Sequence, residues 1–389
     1  MTPQLQIELL DELLQLQQAQ RYFLDPDVHA SPNSRYADPQ RFQLEMEAAF
    51  RDLPQVAAHA SELPNPGDFL TRDVSGQPVL LTRDAGGKVH AFVNVCRHRG
   101  AQLVGESSGC KKAFACPYHA WTWSHTGELL RARLGEVGFP ELNPADYALR
   151  RLAVAELGGL IWVRPQLNAA PEAAADIDAF VQPLLADLAW LDMAQLGIAT
   201  QHTQRVEANW KLIVEGGIEA YHFKVAHRDT IGPHFMDNLS SYRMLGPHMR
   251  SVLPRASLPT LATQAKDQWD IRAHANVLYN VFPGTQFLVM QDHIAWVTLR
   301  PLAVDHSEVT ITVLVPQDQL GAERQAHWAR NQHITVATLN EDFALNAAQQ
   351  RGVATGANAA QTFGRFEGAL HRFNAEVERC ISPPEQTAI

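Results

Sequence analysis

Cys96 and His98 form a C-x-H pair, and after seventeen intervening residues Cys116 and His119 form a C-x-x-H pair. Either pair alone says little, but together they use two of the four cysteines and bring one thiol and one imidazole on each of two short segments. Such a set can hold zinc or an iron–sulfur cluster. Structural zinc sites usually draw C-x2-C or H-x3-H pairs from one element. One thiolate and one imidazole per segment instead suits a [2Fe–2S] cluster with two thiolates on one iron and two imidazoles on the other. Neutral imidazole eases reduction, and such centres reach about −150 to +300 mV. Pro117, Gly100 and Gly109 provide the tight turns these loops need.

A second group of candidates lies in "NWKLIVEGGIEAYHFKVAH", where His222 and His227 stand five apart. On a straight helix that spacing splays two side chains by about 140°, so both reach one metal only where the helix is broken or bulged, as happens at functional sites. Iron(II) that activates dioxygen takes two histidines and a carboxylate on one face, leaving positions open. Spacing leaves Asp237, Asp292, Glu341 and Asp342 as candidates for that carboxylate.

The elements that must position these residues change in texture along the chain. Between about 65 and 165, short strands are broken by Gly, Pro and Asp. "PVLLTRDAGGKVHAFVNVC" reads as a hairpin turning at Asp84–Gly87, and "GGLIWVRP" as a closing strand. Beyond a mildly Ala-rich patch near 169–175, "PEAAADIDAFVQPLLADLAWL" has helical periodicity. A helix is expected from Asn209, three antiparallel strands over 285–315, and helices over about 318–350 and 364–381. In "SEVTITVLV", Val309, Ile311, Val313 and Val315 alternate as in a strand with one buried face. Near the start, Leu5, Leu9, Leu13 and Leu16 mark an amphipathic helix packing on the body or on a neighbouring subunit. The expected fold class is α+β: a small all-β domain, then a larger domain in which helices cover an antiparallel sheet. The boundaries read as a helical segment over 1–45, the first domain over 46–165 and the second over 166–389.

The bulk properties narrow the partners. A net charge of −10 over 389 residues argues against nucleic acid and anionic membrane surfaces. No apolar run approaches the about 20 residues that span a bilayer, and the first residues lack a signal peptide's pattern. Four cysteines without an export signal fit a reducing, cytoplasmic setting, with Cys110 and Cys380 as free thiols.

"CRHRG…CPYHAWTW" resembles the Rieske motif. The run at Asn209, Trp210, Lys211, Glu215, Glu219, Tyr221, His222 and His227 resembles the catalytic motif of Rieske non-haem iron oxygenase alpha subunits, the aromatic-ring-hydroxylating dioxygenase family. "EDFALNAAQQRG" is similar to the family's E-D-x2-[IL]-x4-Q-x-G, matching at Asp342, Leu345, Gln350 and Gly352. The resemblance runs from about Tyr36 to Arg379.

It implies a Rieske [2Fe–2S] domain over 46–165, with the cluster on Cys96, His98, Cys116 and His119. It likewise implies a mononuclear-iron domain over 166–389, with Fe(II) on His222, His227 and Asp342, Glu341 being the fallback ligand. Glu219 would bridge a cluster histidine, His98 or His119, to a ligand histidine across a subunit contact in a head-to-tail homotrimer. Electrons would come from an NAD(P)H-dependent reductase, directly or through a ferredoxin, and the substrates would be O2 and a small molecule.

Many relatives have Glu-Asn-Phe where this chain has Glu215-Gly216-Gly217, so an asparagine is missing and a looser helix is expected. Pocket candidates are Phe223, His234, Phe235, His248, Tyr279, Phe282, Phe287 and Trp296. The first substrate reading is a small aromatic, as an acid recognised by Arg243 or Arg250. The alternative is a quaternary amine, since relatives resembling carnitine or glycine-betaine monooxygenases often carry Glu at the position of Glu219, and an aromatic cage would suit such a cation. A pure electron carrier would need no motif around His222. A zinc hydrolase on the same His, His, Asp set would be colourless.

Overall fold

A computed structural model describes residues 1–167 and 173–382. The Ala-rich patch falls largely outside the described residues. Two compact units are formed, one from Phe50–Leu185 with Asp192–Ala194, the other from Met1–Ala49, Ala186–Leu191 and Gln195–Ile389.

The β unit is built on the expected hairpin. Strands Gln77–Arg83 and Val89–Val93 pair antiparallel, and the Asp84 carboxylate closes the turn by accepting from the amides of Gly86 and Lys88 at 2.9 Å each. The hairpin joins a seven-stranded sheet whose other edge carries the expected strand Leu160–Arg164 next to Gln55–His59. A small three-stranded sheet holds Phe114–Ala115, Thr122–Trp123 and Leu129–Arg131. Between its last two strands Gly127 turns with φ +81°, and a Cβ there would stand 2.3 Å from the Phe92 ring, so only glycine fits. A core of Phe69, Phe92, Phe114, Trp121 and Trp123 backs Cys96 and Cys116.

In the larger unit seven antiparallel strands run in the order Leu196–Val206, His306–Pro316, Ile294–Ala303, Thr285–Val289, Ala275–Val281, His248–Pro254 and Ser241–Leu245. The three strands expected over 285–315 are among them. Val309, Ile311, Val313 and Val315 are buried as expected, but so are Thr312 and Leu314. The sheet is thus covered on both faces there, with Trp328 of the long helix Gln325–Ala354 packed on Val313 and Val315. The N-terminal helix Pro3–Gln18 buries Leu9, Leu10, Leu13 and Leu14.

The helix expected at Asn209 spans Trp210–Ile218, and Asn209 caps it by accepting from the amide of Lys211. Segments far away in sequence hold it. Glu45 accepts from Trp210 Nε1 at 2.9 Å and pairs with Lys211 Nζ in the interior. Glu215 accepts from the Tyr36 hydroxyl at 2.8 Å and from Asn374 Nδ2 at 2.7 Å. Burial raises the Glu215 carboxyl to about 7 despite these donors, and burial lowers Lys211 to about 8 despite Glu45.

The two glycines do not loosen this helix, which stays regular through Gly217. The role of Gly217 is closeness: a Cβ there would stand 2.6 Å from Gln286 Oε1 and 2.8 Å from its Nε2. Gln286 is buried and its Nε2 donates to the Val214 carbonyl at 3.1 Å. Gly217→Ala is therefore expected to destabilise the fold by about 1–3 kcal/mol, read as a lowered midpoint in chemical denaturation with the secondary structure unchanged.

Candidate metal centres

In the β unit, Cys96 and Cys116 are buried at the bases of two loops, and burial followed by the neighbouring Cys116 raises the Cys96 thiol. The His98 and His119 rings stand 4.8 Å apart between centroids. His98 stacks on Trp121 with 5° between the planes, and its Nδ1 is buried with no hydrogen-bond partner. A buried ring nitrogen with nothing to bond is costly, and an unexplained one calls for a partner such as a metal. Slight burial and then the positive charge of Arg99 lower His119, favouring the neutral, ligand-competent form. The residues present therefore fit a [2Fe–2S] cluster held by two thiolates and two imidazoles. Cys110 is exposed at a sheet edge and Cys380 is partly buried on the last helix.

The second centre depends on where the helix Trp210–Ile218 ends. Glu219 is extended (φ −125°, ψ 162°), and a separate four-residue helix, Phe223–Ala226, has His222 before it and His227 after it. The break required by the five-residue spacing is thus a complete helix end. It brings His222 Nε2 and His227 Nε2 to 3.2 Å from each other. Asp342, on the long helix, places Oδ1 3.3 Å from the first and 3.0 Å from the second.

Ligand bonds of about 2.1 Å put neighbouring donors about 3.0 Å apart around an octahedral ion and about 3.4 Å apart around a tetrahedral one. The observed triangle therefore takes one divalent ion without rearrangement. Among the described residues these three form the one group of His, Cys, Asp or Glu whose donor atoms all lie within 4.8 Å of one another, close enough for a single ion. Asp237 and Asp292 lie outside it.

Both imidazoles are oriented from behind. His222 Nδ1 meets Glu219 Oε1, and Glu219 Oε2 accepts from the amides of Tyr221 and His222. His227 Nδ1 donates to Glu341 Oε2 at 2.6 Å, which also accepts from the Thr230 hydroxyl at 2.7 Å. Each ring therefore keeps its proton on Nδ1 and presents Nε2 to the triangle. Glu341 stands outside the triangle, behind His227; its adjacency to Asp342 was the one signal of it in the sequence, and Thr230 left none.

The electrostatics favour a cation. Burial alone would lower His222, but Asp342 and then Glu219 outweigh it and raise the imidazole to about 10. Asp342 is lowered, since both histidines overcome the effect of its burial. Replacing Glu341 with Gln should leave the triangle in place but weaken metal retention by about 10–100-fold, measured as iron content after graded chelation.

Two cavities flank the triangle, meeting at Gly216 and Asp342. One has Glu215, Glu219, Asn346 and Glu367 in its wall beside Leu212, Leu345, Phe363 and Leu370. The other is mostly apolar, with Phe223, Phe235, Leu278, Leu288, Ala295 and Val297 in its wall. Of the aromatic candidates, Phe223 and Phe235 line it. Leu278, Leu288 and Ala295 pair across one face of the sheet, so Tyr279, Phe287 and Trp296, each one residue away, point to the other face. His234 is exposed, while His248 accepts from the Phe282 amide inside the core.

Neither arginine expected at the pocket is there. Arg250 is buried against Asp187 at 2.6 Å, and Arg243 pairs with Glu12 at 2.7 Å. Among the described residues no helix is long and apolar enough to cross a membrane.

Comparison with known proteins matches both domains. Residues 54–136 match the model for the Rieske [2Fe-2S] domain. Residues 193–383 match the model for the ring hydroxylating alpha subunit (catalytic domain). The glycine betaine monooxygenase oxygenase subunit of Chromohalobacter salexigens is 34% identical over 369 residues, covering 84% of this chain and 79% of that protein. Its namesake in Pseudomonas aeruginosa is 36% identical over 200 residues, and the match spans 45% of that protein's length. The toluate 1,2-dioxygenase subunit alpha of Pseudomonas putida is 26% identical over 403 residues, covering 92% of this chain and 85% of that one. The fold matches the crystal structure of the quaternary ammonium Rieske monooxygenase CntA in complex with L-carnitine. That match has a TM-score of 0.77 at 22% identity and covers 92% and 97% of the two chains. With a Rieske [2Fe–2S] domain and a mononuclear-iron catalytic domain in one polypeptide, this chain belongs to the Rieske non-haem iron oxygenases, as a catalytic (alpha) subunit.

Proposed function

We propose that this chain oxidises a small quaternary ammonium compound, using O2 and electrons delivered by an NAD(P)H-dependent reductase, directly or through a ferredoxin. In this reading His222, His227 and Asp342 hold Fe(II), while Cys96, His98, Cys116 and His119 hold the cluster. The iron supplies dioxygen activation and the cluster single electrons. Everything else falls to the polypeptide. Glu219 and Glu341 fix the ring tautomers, the sheet face Leu278–Leu288–Ala295 excludes water, and Phe223 and Phe235 seat the substrate beside Asp342.

The observation that carries this reading is the nature of the apolar cavity. No Lys or Arg is in its described wall, and Asp342 is its one acid. A permanent cation, weakly hydrated and attracted to aromatic faces, enters such a wall without like-charge repulsion. The long match to a glycine betaine monooxygenase supports the same class, as does a glutamate at position 219. A second reading, a small aromatic substrate, is favoured by the aliphatic sheet face and by the toluate dioxygenase relative.

Glu219 would connect His222 to a cluster histidine of the neighbouring subunit, in a cytoplasmic head-to-tail homotrimer. Inter-subunit electron transfer is described for CntA. The test is substrate-stimulated O2 uptake with a surrogate reductase. Trimethylammonium compounds should stimulate it and release formaldehyde from an oxidised N-methyl group. Stimulation by aromatic compounds alone, with ring-hydroxylated products, would replace this reading with the second.

A further inference from the structure

We propose that the cavity holding Glu215, Glu219 and Glu367 is the proton inlet of the metal centre, with Glu215 as its buried donor and Glu367 as the group that reloads it from solvent. The inference rests on His222, His227 and Asp342 holding the iron, and it applies to either substrate class.

Oxygen insertion consumes protons. A C–H bond, one O2, two electrons and two protons give an alcohol and one water; dihydroxylation of a ring takes up two protons as well. The electrons come from the reductase through the cluster, so the protons need a route of their own. The mostly apolar cavity has no titratable group in its described wall besides His227 and Asp342.

The acid-lined cavity suits the task. It measures about 320 Å³, against about 30 Å³ for one water molecule. His222 and Asp342 share its wall with the three glutamates, and it meets solvent at the exposed residues Leu345, Gln349 and Thr362. Asn346 Oδ1 and Gln361 Nε2, both in the wall, are buried without a hydrogen-bond partner. An acceptor and a donor in need of partners are anchors for a file of ordered water.

Glu215 has the geometry of a donor into this space. The Tyr36 hydroxyl at 2.8 Å and Asn374 Nδ2 at 2.7 Å both donate to its Oε1. Among the described residues no other group bonds the carboxyl, which leaves Oε2 to carry a proton on the cavity side. Burial raises this carboxyl to about 7 against the pull of Asn374, Tyr36, Lys211 and Arg35, and a general acid works best with a pKa near the working pH. Glu367 accepts from the Gly364 amide at 2.7 Å through Oε2, which leaves its Oε1. Burial raises Glu367 too, with Glu219 adding to the effect and the Gly364 amide and His222 opposing it. A proton leaves Glu215 Oε2 for the water beside Asp342, and one from solvent replaces it by way of Glu367.

Glu215→Gln keeps the oxygen that Tyr36 and Asn374 bond while removing the acid proton, so the helix should hold. The first measurement is infrared, on resting holoenzyme without turnover. The carbonyl band of a protonated carboxylic acid should fade as pH rises through about 7, and Glu215→Gln should lack it. The second is a single turnover of the reduced holoenzyme with glycine betaine, or with benzoate for the aromatic reading. Product formation should slow as pH rises through the same range, because the acid form is the donor. Glu215→Gln should be about 100-fold slower, the lower end of general-acid catalysis, and flat in pH there, with iron content and substrate affinity unchanged. Glu367→Gln should show a smaller loss.

Tyr36→Phe removes a donor that holds Glu215 down, so band and rate should move together to higher pH, which a purely structural Glu215 would not produce. An infrared titration that persists in Glu215→Gln overturns the inlet, as does a wild-type rate in that variant. Slow turnover with the wild-type pH profile, or a rate profile that stays put in Tyr36→Phe while the band moves, leaves Glu215 a structural residue and overturns it equally. Failure of both compounds to react overturns the substrate readings alone, and the infrared titration then decides on the inlet.

Discussion

Asp342→Ala is expected to purify with its brown Rieske chromophore intact, to retain almost no mononuclear iron, and to turn over no substrate. The triangle explains the scale. Its three donor atoms lie 3.0–3.3 Å apart, and Asp342 is both the anionic member and the link to the long helix. Without it, two neutral imidazoles remain, and the lost attraction for a divalent ion exceeds the about 10–100-fold expected for an outer partner such as Glu341. The cluster residues belong to the other compact unit, so visible absorption and the EPR signal of the reduced cluster should not change. Iron analysis and optical spectra on the same sample make the check. Loss of both metals would show that Asp342 supports folding and not ligation, and full retention of mononuclear iron would move the third ligand elsewhere. Asp342→Glu separates charge from placement: it keeps the anion but overreaches the triangle, so it should recover some iron and little activity.

The sequence carried the elements well because each depended on a local signal. The hairpin at Asp84–Gly87, the helix start at Asn209 and the three strands over 285–315 all follow from periodicity and turn chemistry within a few residues. Its failures were of tertiary origin. The five-residue spacing of His222 and His227 announced a distortion, yet whether it was a bulge or a helix end depended on Glu219 accepting from the Tyr221 and His222 amides. Gly216 and Gly217 suggested looseness, but Gln286, far along the chain, takes the space that a side chain on Gly217 would fill. Aromatic character alone nominated Tyr279, Phe287 and Trp296 for the pocket. Their neighbours Leu278, Leu288 and Ala295 line it instead, since strand parity decides which face a residue serves.

Glu219→Gln is expected to retain both metals yet lower turnover by at least about a hundredfold, with the defect in electron delivery. Glu219 receives three donors: the amides of Tyr221 and His222 and the Nδ1 proton of His222. A carboxylate accepts at both oxygens, whereas a carboxamide has one acceptor oxygen and an NH2 group that only donates. The substitution therefore sets N–H against N–H on one side, whichever way the amide turns. Either the turn before His222 loosens or the ring loses its orienting partner. The negative charge that would let this side chain join two metal-bound imidazoles is lost as well. Iron retention should fall less than in Asp342→Ala, because all three donors of the triangle survive. The decisive measurement is a single turnover: the cluster is reduced, substrate and O2 are added, and its reoxidation is followed optically. Wild-type rates would remove Glu219 from the electron route and leave it a turn-forming residue. Slow reoxidation with normal substrate binding would identify it as the bridge. Glu219→Asp, which keeps the charge on a shorter arm, should fall between the two if charge and reach both count.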